Sequence, residues 1–118
     1  MKYIGGMLML FTLIVFAGHA PWQQAPPQND WTEPFPAFRI TDNLYYVGSR
    51  GLANYLITTS QGHILINSDY EANVPLIRSS VESLGFKFTD IKILLISHMH
   101  SNHSGGSALE GIDRCEIW

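Results

Sequence analysis

Ile91-Lys92-Ile93-Leu94-Leu95-Ile96-Ser97-His98-Met99-His100-Ser101-Asn102-His103-Ser104-Gly105-Gly106 is the stretch that decides the fold. Its first six residues form a mostly apolar run of strand length, the pattern of a strand covered on both faces. That run leads directly into three of the chain's five histidines, all within six residues. A buried strand is a rigid base from which side chains can be aimed at one point. His98 and His100, one residue apart, can approach a common ion from extended chain, and His103 can turn toward a neighbouring position. Neutral imidazole is a good zinc ligand, and hydrolytic zinc sites keep a position open for water. Gly105 and Gly106 would let the backbone pass close by without steric conflict. The alternative is a polar surface loop that is rich in histidine and binds no metal.

Upstream of the strand, Val74, Ile77, Val81 and Leu84 recur at helical spacing up to Gly85, with Pro75 in the first turn, which predicts a helix of about three turns with a glycine stop. Before that helix come short β-type runs: Phe38 to Thr41, Leu44 to Gly48, Ala53 to Thr59 and His63 to Asn67. Asp42-Asn43 and Gln61-Gly62 are turn pairs between them, so these runs are expected to form an antiparallel meander. Downstream, Gly105 to Glu110 could begin another helix.

Residues 21–36 hold five of the six prolines, with Gln, Asn and Trp between them, and predict an extended lead-in. Trp22, Trp31 and Phe35 are expected to dock on the domain surface. Residues 1–20 read as an export signal, with Lys2 as the positive start and Ile4 to Ala17 as an apolar stretch short for a membrane span, to be cut after Ala17 or Ala20. An uncleaved N-terminal anchor is the alternative. Either reading exports the domain to the periplasm or outside the cell, and cleavage would leave no stable membrane insertion.

Hydrophobic residues make up 46% of the 118 and charged ones 14%, a balance that suits one folded domain and is too apolar for a disordered chain. A formal charge of −3, with no run of Lys or Arg to neutralise phosphates, excludes a nucleic-acid partner. Cys115 is the only cysteine, so there is no internal disulfide, and no Cys or His at ligand spacing makes it a metal ligand. His63 falls in a strand and reads as a structural residue.

The loop resembles the metallo-β-lactamase superfamily signature His-x-His-x-Asp-His. Asn54-Tyr55-Leu56-Ile57-Thr58-Thr59, Gly62-His63-Ile64-Leu65-Ile66-Asn67-Ser68 and Leu94-Leu95-Ile96-Ser97-His98 look like the third subclass of class B β-lactamases, and the match spans roughly Trp31 to Leu109. The resemblance implies an α/β (α+β) fold, the N-terminal half of a four-layer αββα sandwich, over residues 37–118. It implies that His98 and His100 bind a first zinc and His103 a second, each with further ligands from the other half of the fold. It also implies that a metal-bound hydroxide opens the ring of a small-molecule β-lactam.

Two departures accompany the match. Asn102 stands where the signature has Asp, which replaces a charged oxygen ligand and water-orienting carboxylate by a weaker neutral amide, so the second metal position is expected to be weakened. The second half of the sandwich has no counterpart, and Glu110 to Trp118 departs from the family pattern, which suggests truncation or a shifted frame. A sheet face left uncovered in this way predicts self-association. A non-catalytic remnant or binding module with at most weak metal affinity, and a superfamily hydrolase of thioesters or lactones, are the other readings.

Overall fold

A computed structural model of the protein describes residues 30–108 and 112–117; the export signal, Trp22 and most of the lead-in lie outside these. Strands β1 (Phe38–Thr41), β2 (Leu44–Tyr46), β3 (Tyr55–Ile57) and β4 (His63–Ile66) pair in sequence, each antiparallel to the next. A crossover through helix α1 (Val74–Ser83) then brings β5 (Ile91–Ile96) parallel to β4. The one-turn helix α2 (Ser101–Ser104) follows, and β6 (Arg114–Ile117) pairs parallel to β5 at the sheet's end.

The turns form where the sequence supplies residues for them. Asp42 takes a left-handed φ of 37° between β1 and β2, a conformation that Asp tolerates better than most residues. Between β3 and β4, the Thr59 hydroxyl donates to the Gly62 carbonyl, and Gly62 sits at φ 115°. The strands are shorter than the expected Leu44 to Gly48 and Ala53 to Thr59. Beyond Tyr46 the chain bends, and single bonds such as Val47 N–H to the Asn54 carbonyl (3.0 Å) replace the regular ladder.

Helix α1 matches the expected span. Pro75 lies in its first turn, and Gly85, at φ 88°, lets the chain leave so that the Phe86 N–H reaches the Val81 carbonyl at 3.3 Å. Ile77 and Val81 on its inner face pack with Val47, Leu56, Leu65, Phe88, Ile91, Leu94 and Ile96, all buried, to make the core. Leu56, Leu65 and Leu94 stand side by side across β3, β4 and β5, which is why the helix covers the middle of the sheet. Opposite His63 and Ile64, β5 carries one extra residue, Lys92. This bulge turns both Ile91 and Leu94 to the helix side although they are three positions apart.

The other face of the sheet is open. Its rows run Phe38, Tyr46, Tyr55, Ile66, Leu95 and Leu44, Ile57, Ile64, Ile93 across successive strands, without a charge until Glu116 and Arg114 in β6. Ile93 and Leu95 are half-exposed there, so β5 is covered on one face and not on both as its composition suggested. Among the described residues the layers are therefore one helix on one mixed sheet, a partial α/β fold.

The lead-in docks through the two described aromatics expected to do so. Trp31 stacks on Tyr70 with ring centroids 6.0 Å apart, and Phe35 meets Tyr46 edge-on at 5.8 Å. The helix expected from Gly105 is corrected: residues 105–108 form a turn, and the helical turn comes earlier, at Ser101–Ser104. Both glycines are packed against the backbone of Ser68 to Tyr70 there, where the Gly106 N–H donates to the Asp69 carbonyl at 2.9 Å. Strand β6 was not anticipated, because four exposed residues, Arg-Cys-Glu-Ile, carry no burial pattern to read.

Candidate metal centre

The histidine loop is held by the segment that follows the neighbouring strand. Where β4 ends, Asn67 adopts a left-handed φ of 62° and Asp69 a φ of 55°, so the chain folds back beneath the end of β5. The Ser97 N–H and hydroxyl both donate to Asn67 Oδ1, at 2.9 and 3.0 Å. Buried Asn54 donates through Nδ2 to the Asn67 carbonyl at 3.0 Å and so fixes Asn67 from the far side. Further along, the Ser68 N–H donates to the His103 carbonyl (2.8 Å) and the Gly106 N–H to the Asp69 carbonyl (2.9 Å). A Cβ on Gly105 would lie 2.9 Å from the Asp69 carbonyl oxygen and one on Gly106 2.7 Å from that of Ser68, so close approach requires glycine at both.

Within the loop, His100 starts the helical turn: its carbonyl accepts from the N–H groups of His103 (2.8 Å) and Ser104 (3.0 Å). The turn folds His103 back toward His98. Their ring centroids lie 3.8 Å apart, and those of His98 and His100 4.7 Å apart. The Ser97 hydroxyl sits among them, 3.4 Å from His98 Nδ1 and 3.3 Å from His103 Nδ1. His98 and His100 are exposed and His103 half-buried. Desolvation lowers the His103 pKa below the usual histidine range, and the neighbouring His98 and His100 push it the same way. The ring therefore favours its neutral form, the one that can bind a metal.

Beside the loop, the buried Asp69 carboxylate accepts from Asn73 Nδ2 at 3.3 Å. Desolvation raises its pKa above the usual carboxylate range, and the amides of Asn54 and Asn73 pull it partly back. The sequence reading missed this polar platform of Asn54, Asn67, Ser68, Asp69 and Asn73. The available signal was the run Asn67-Ser68-Asp69 following the buried strand, where polar residues persist after the apolar ones stop.

The remaining candidates lie elsewhere. Asn102, the residue at the signature Asp position, is half-buried in α2. His63 is a strand residue packed edge-on against Phe86 at 5.3 Å, its Nδ1 accepting from the Thr59 N–H at 3.3 Å, which bears out its structural role. Cys115 is exposed and unbonded in β6. An apolar groove of about 420 Å³ lined by Ile66, Leu95, Ile96 and Ser97 opens next to the loop on the uncovered face.

Three imidazoles suit zinc chemically. Among the described residues, however, no group of three or more His, Cys, Asp or Glu side chains is arranged to hold a metal ion. The donor set fits the ion, and the described geometry falls short of a full cage.

Sheet, crossover helix and histidine loop at the strand end match part of the fold of solved metallo-β-lactamases. The particular likeness is to subclass B3 enzymes. The native FEZ-1 metallo-β-lactamase of Legionella gormanii matches at 57% identity and a TM-score of 0.69, over 72% of this chain and 33% of that one. BJP-1, a subclass B3 enzyme of Bradyrhizobium japonicum, matches at 45% identity and a TM-score of 0.66, over 68% and 30%. GOB-18 of Elizabethkingia meningoseptica matches at 42% and 0.67, over 71% and 31%. The chain thus spans about a third of the length of the structures it matches. No family model matches the sequence.

Proposed function

We propose that this chain is the N-terminal part of an exported zinc-dependent hydrolase that opens the β-lactam ring of antibiotics. The observation that carries this reading is the 57% identity to a metallo-β-lactamase across 72% of the chain, a match with a TM-score of 0.69. His98 and His100 would hold one zinc and His103 would contribute to a second, with further ligands from outside the described residues. Zinc in such a site supplies Lewis acidity. The chain's own residues present the imidazoles. Asn67 and Ser97 orient His98 and His103, Ser68 fixes the His103 backbone, and the groove beside Ser97 offers an apolar wall to a substrate.

A second reading, a non-catalytic remnant with weak metal affinity, is favoured by two observations: Asn102 in place of the signature carboxylate, and the lack of a three-ligand group among the described residues. A thioester or lactone hydrolase has less support, because the solved neighbours are named as β-lactamases. The open apolar face requires cover, which we assign to the rest of such a fold or, where that is missing, to another copy of the chain.

Zinc content after dialysis and hydrolysis of a chromogenic β-lactam, with and without a chelator, separate these readings. Chelator-sensitive hydrolysis with retained zinc supports the enzyme and overturns the remnant; no hydrolysis, with zinc weakly held or lost on dialysis, supports the remnant and overturns the enzyme.

A further inference from the structure

We propose that Ser97, held by Asn67, is a positioning residue that fixes both His98 and His103 as Nδ1–H tautomers, leaving the two Nε2 atoms as the lone-pair donors of the loop. The inference concerns the tautomers themselves. Its link to zinc rests on the function proposed above.

The argument is a count of protons and lone pairs around one oxygen. A backbone N–H can only donate, so the Asn67 side-chain atom 2.9 Å from the Ser97 N–H must be the amide oxygen and not the nitrogen. That oxygen has no proton to give. The Ser97 hydroxyl, 3.0 Å from the same oxygen, must therefore spend its single proton there. Only two lone pairs remain on Oγ, and two ring nitrogens face them: His98 Nδ1 at 3.4 Å and His103 Nδ1 at 3.3 Å. A hydrogen bond forms in each case only if the ring nitrogen carries the proton. With one bond donated and two accepted, the hydroxyl is saturated, and each neutral ring is left unprotonated at Nε2.

The acceptor is itself held firmly. Asn67 lies in the left-handed region at φ 62°, which Asn occupies more readily than other residues that have a side chain, and its carbonyl takes the Asn54 amide at 3.0 Å. Its own N–H bonds the Leu95 carbonyl at 2.8 Å. The oxygen that receives the Ser97 proton is thus tied to both β4 and β5, and the tautomers are set by the sheet rather than by the exposed loop. This is the work that a group behind a metal-binding histidine performs when it fixes the ring's free nitrogen.

Imidazole ¹⁵N spectra of the metal-free chain at about pH 8, where histidines are neutral, read the tautomer directly. The expected result is Nδ1 protonated and Nε2 unprotonated in His98 and His103. Ser97→Ala should move both rings toward the Nε2–H form or a mixture. Ser97→Thr, which keeps the hydroxyl at an exposed position, should restore the original pattern. Asn67→Gly, which keeps the left-handed backbone but deletes the acceptor, should behave like Ser97→Ala. Nε2–H rings in the unaltered chain, or spectra unchanged by Ser97→Ala in a chain whose other resonances show it folded, would overturn the proposal. Zinc titration followed by calorimetry forms a separate arm, with affinity falling about tenfold in Ser97→Ala and recovering in Ser97→Thr. If the tautomers are as stated and the unaltered chain takes up no zinc, the proposed function fails while the role of Ser97 stands.

Discussion

Replacing Gly106 by alanine tests how the histidine loop is anchored. A Cβ there would lie 2.7 Å from the Ser68 carbonyl oxygen and 2.7 Å from Val74 Cγ2, inside normal contact with both. The oxygen belongs to backbone and cannot swing aside, so the loop must lift. Lifting strains or breaks the Gly106 N–H bond to the Asp69 carbonyl (2.9 Å) and the Ser68 N–H bond to the His103 carbonyl (2.8 Å). Overpacking of this kind costs about 1–3 kcal/mol and each of the one or two lost hydrogen bonds about 1 kcal/mol, so a total loss of about 2–5 kcal/mol is expected. Urea denaturation followed by circular dichroism measures it, with a midpoint fall of roughly 1–2 M for a small domain. Gly85→Ala is the control. Gly85 has φ 88° with nothing within 4 Å of the added Cβ, so it incurs only the left-handed backbone penalty of about 1–2 kcal/mol. The His103 resonances should move in Gly106→Ala and stay in place in Gly85→Ala. A Gly106→Ala chain as stable as the parent, with His103 unmoved, would refute the anchoring argument.

Asn102→Asp should raise zinc affinity by about tenfold, read by competition with a chromophoric chelator, because it restores a charged oxygen beside His103; unchanged affinity removes the reason given for a weakened second site. Asp69 gives a pH signature. Its pKa is raised in the folded state, so its contribution to stability is full below the unfolded value of about 3.9 and is lost as pH rises through the folded value. The stability of Asp69→Asn relative to the parent should therefore increase between about pH 4 and pH 7 in urea melts, and a constant difference would contradict the burial argument. Ile64→Lys puts a charge at the centre of the open face, between Ile57 and Ile93, without touching the helix-side core. It should lower the mass seen by light scattering if that face mediates self-association, at a stability cost of about 1 kcal/mol; an unchanged associated mass would place the contact elsewhere.

The parts of the fold legible in the sequence are those specified by neighbours along the chain. Val74, Ile77 and Val81 reveal the helix by their spacing, Asp42-Asn43 marks a tight turn, and Ile91 to Ile96 shows a strand by a run that is apolar except for Lys92. The histidines were legible as a cluster for the same reason, being six residues or fewer apart. What supports them was not. Asn67 meets Ser97 across 30 positions and Ser68 meets His103 across 35, and no local pattern encodes a contact between segments brought together by a crossover. Strand β6 stayed hidden because it lies exposed at the sheet edge, where selection for alternation is weak. The family likeness supplied what spacing could not, the chemistry expected of the loop, while Asn102 is the one position of the signature where this chain departs from it.

The bulge at Lys92 bears on which length changes in β5 the protein can absorb. Because Lys92 is the unmatched residue between the His63–Ile91 and Ile64–Ile93 pairs, its deletion would make the ladder regular and leave Ile93 to Ser97 facing as they do. Deleting Leu94 instead would shift everything upstream or downstream by one place and exchange the two sides of the strand. Either Ile91 would leave the core or Ile96 and the histidine loop would turn over. The strand thus contains one dispensable position, and it lies near the opposite end of β5 from the histidine loop, so that the reading frame of β5 toward His98 is the part that evolution or engineering must preserve.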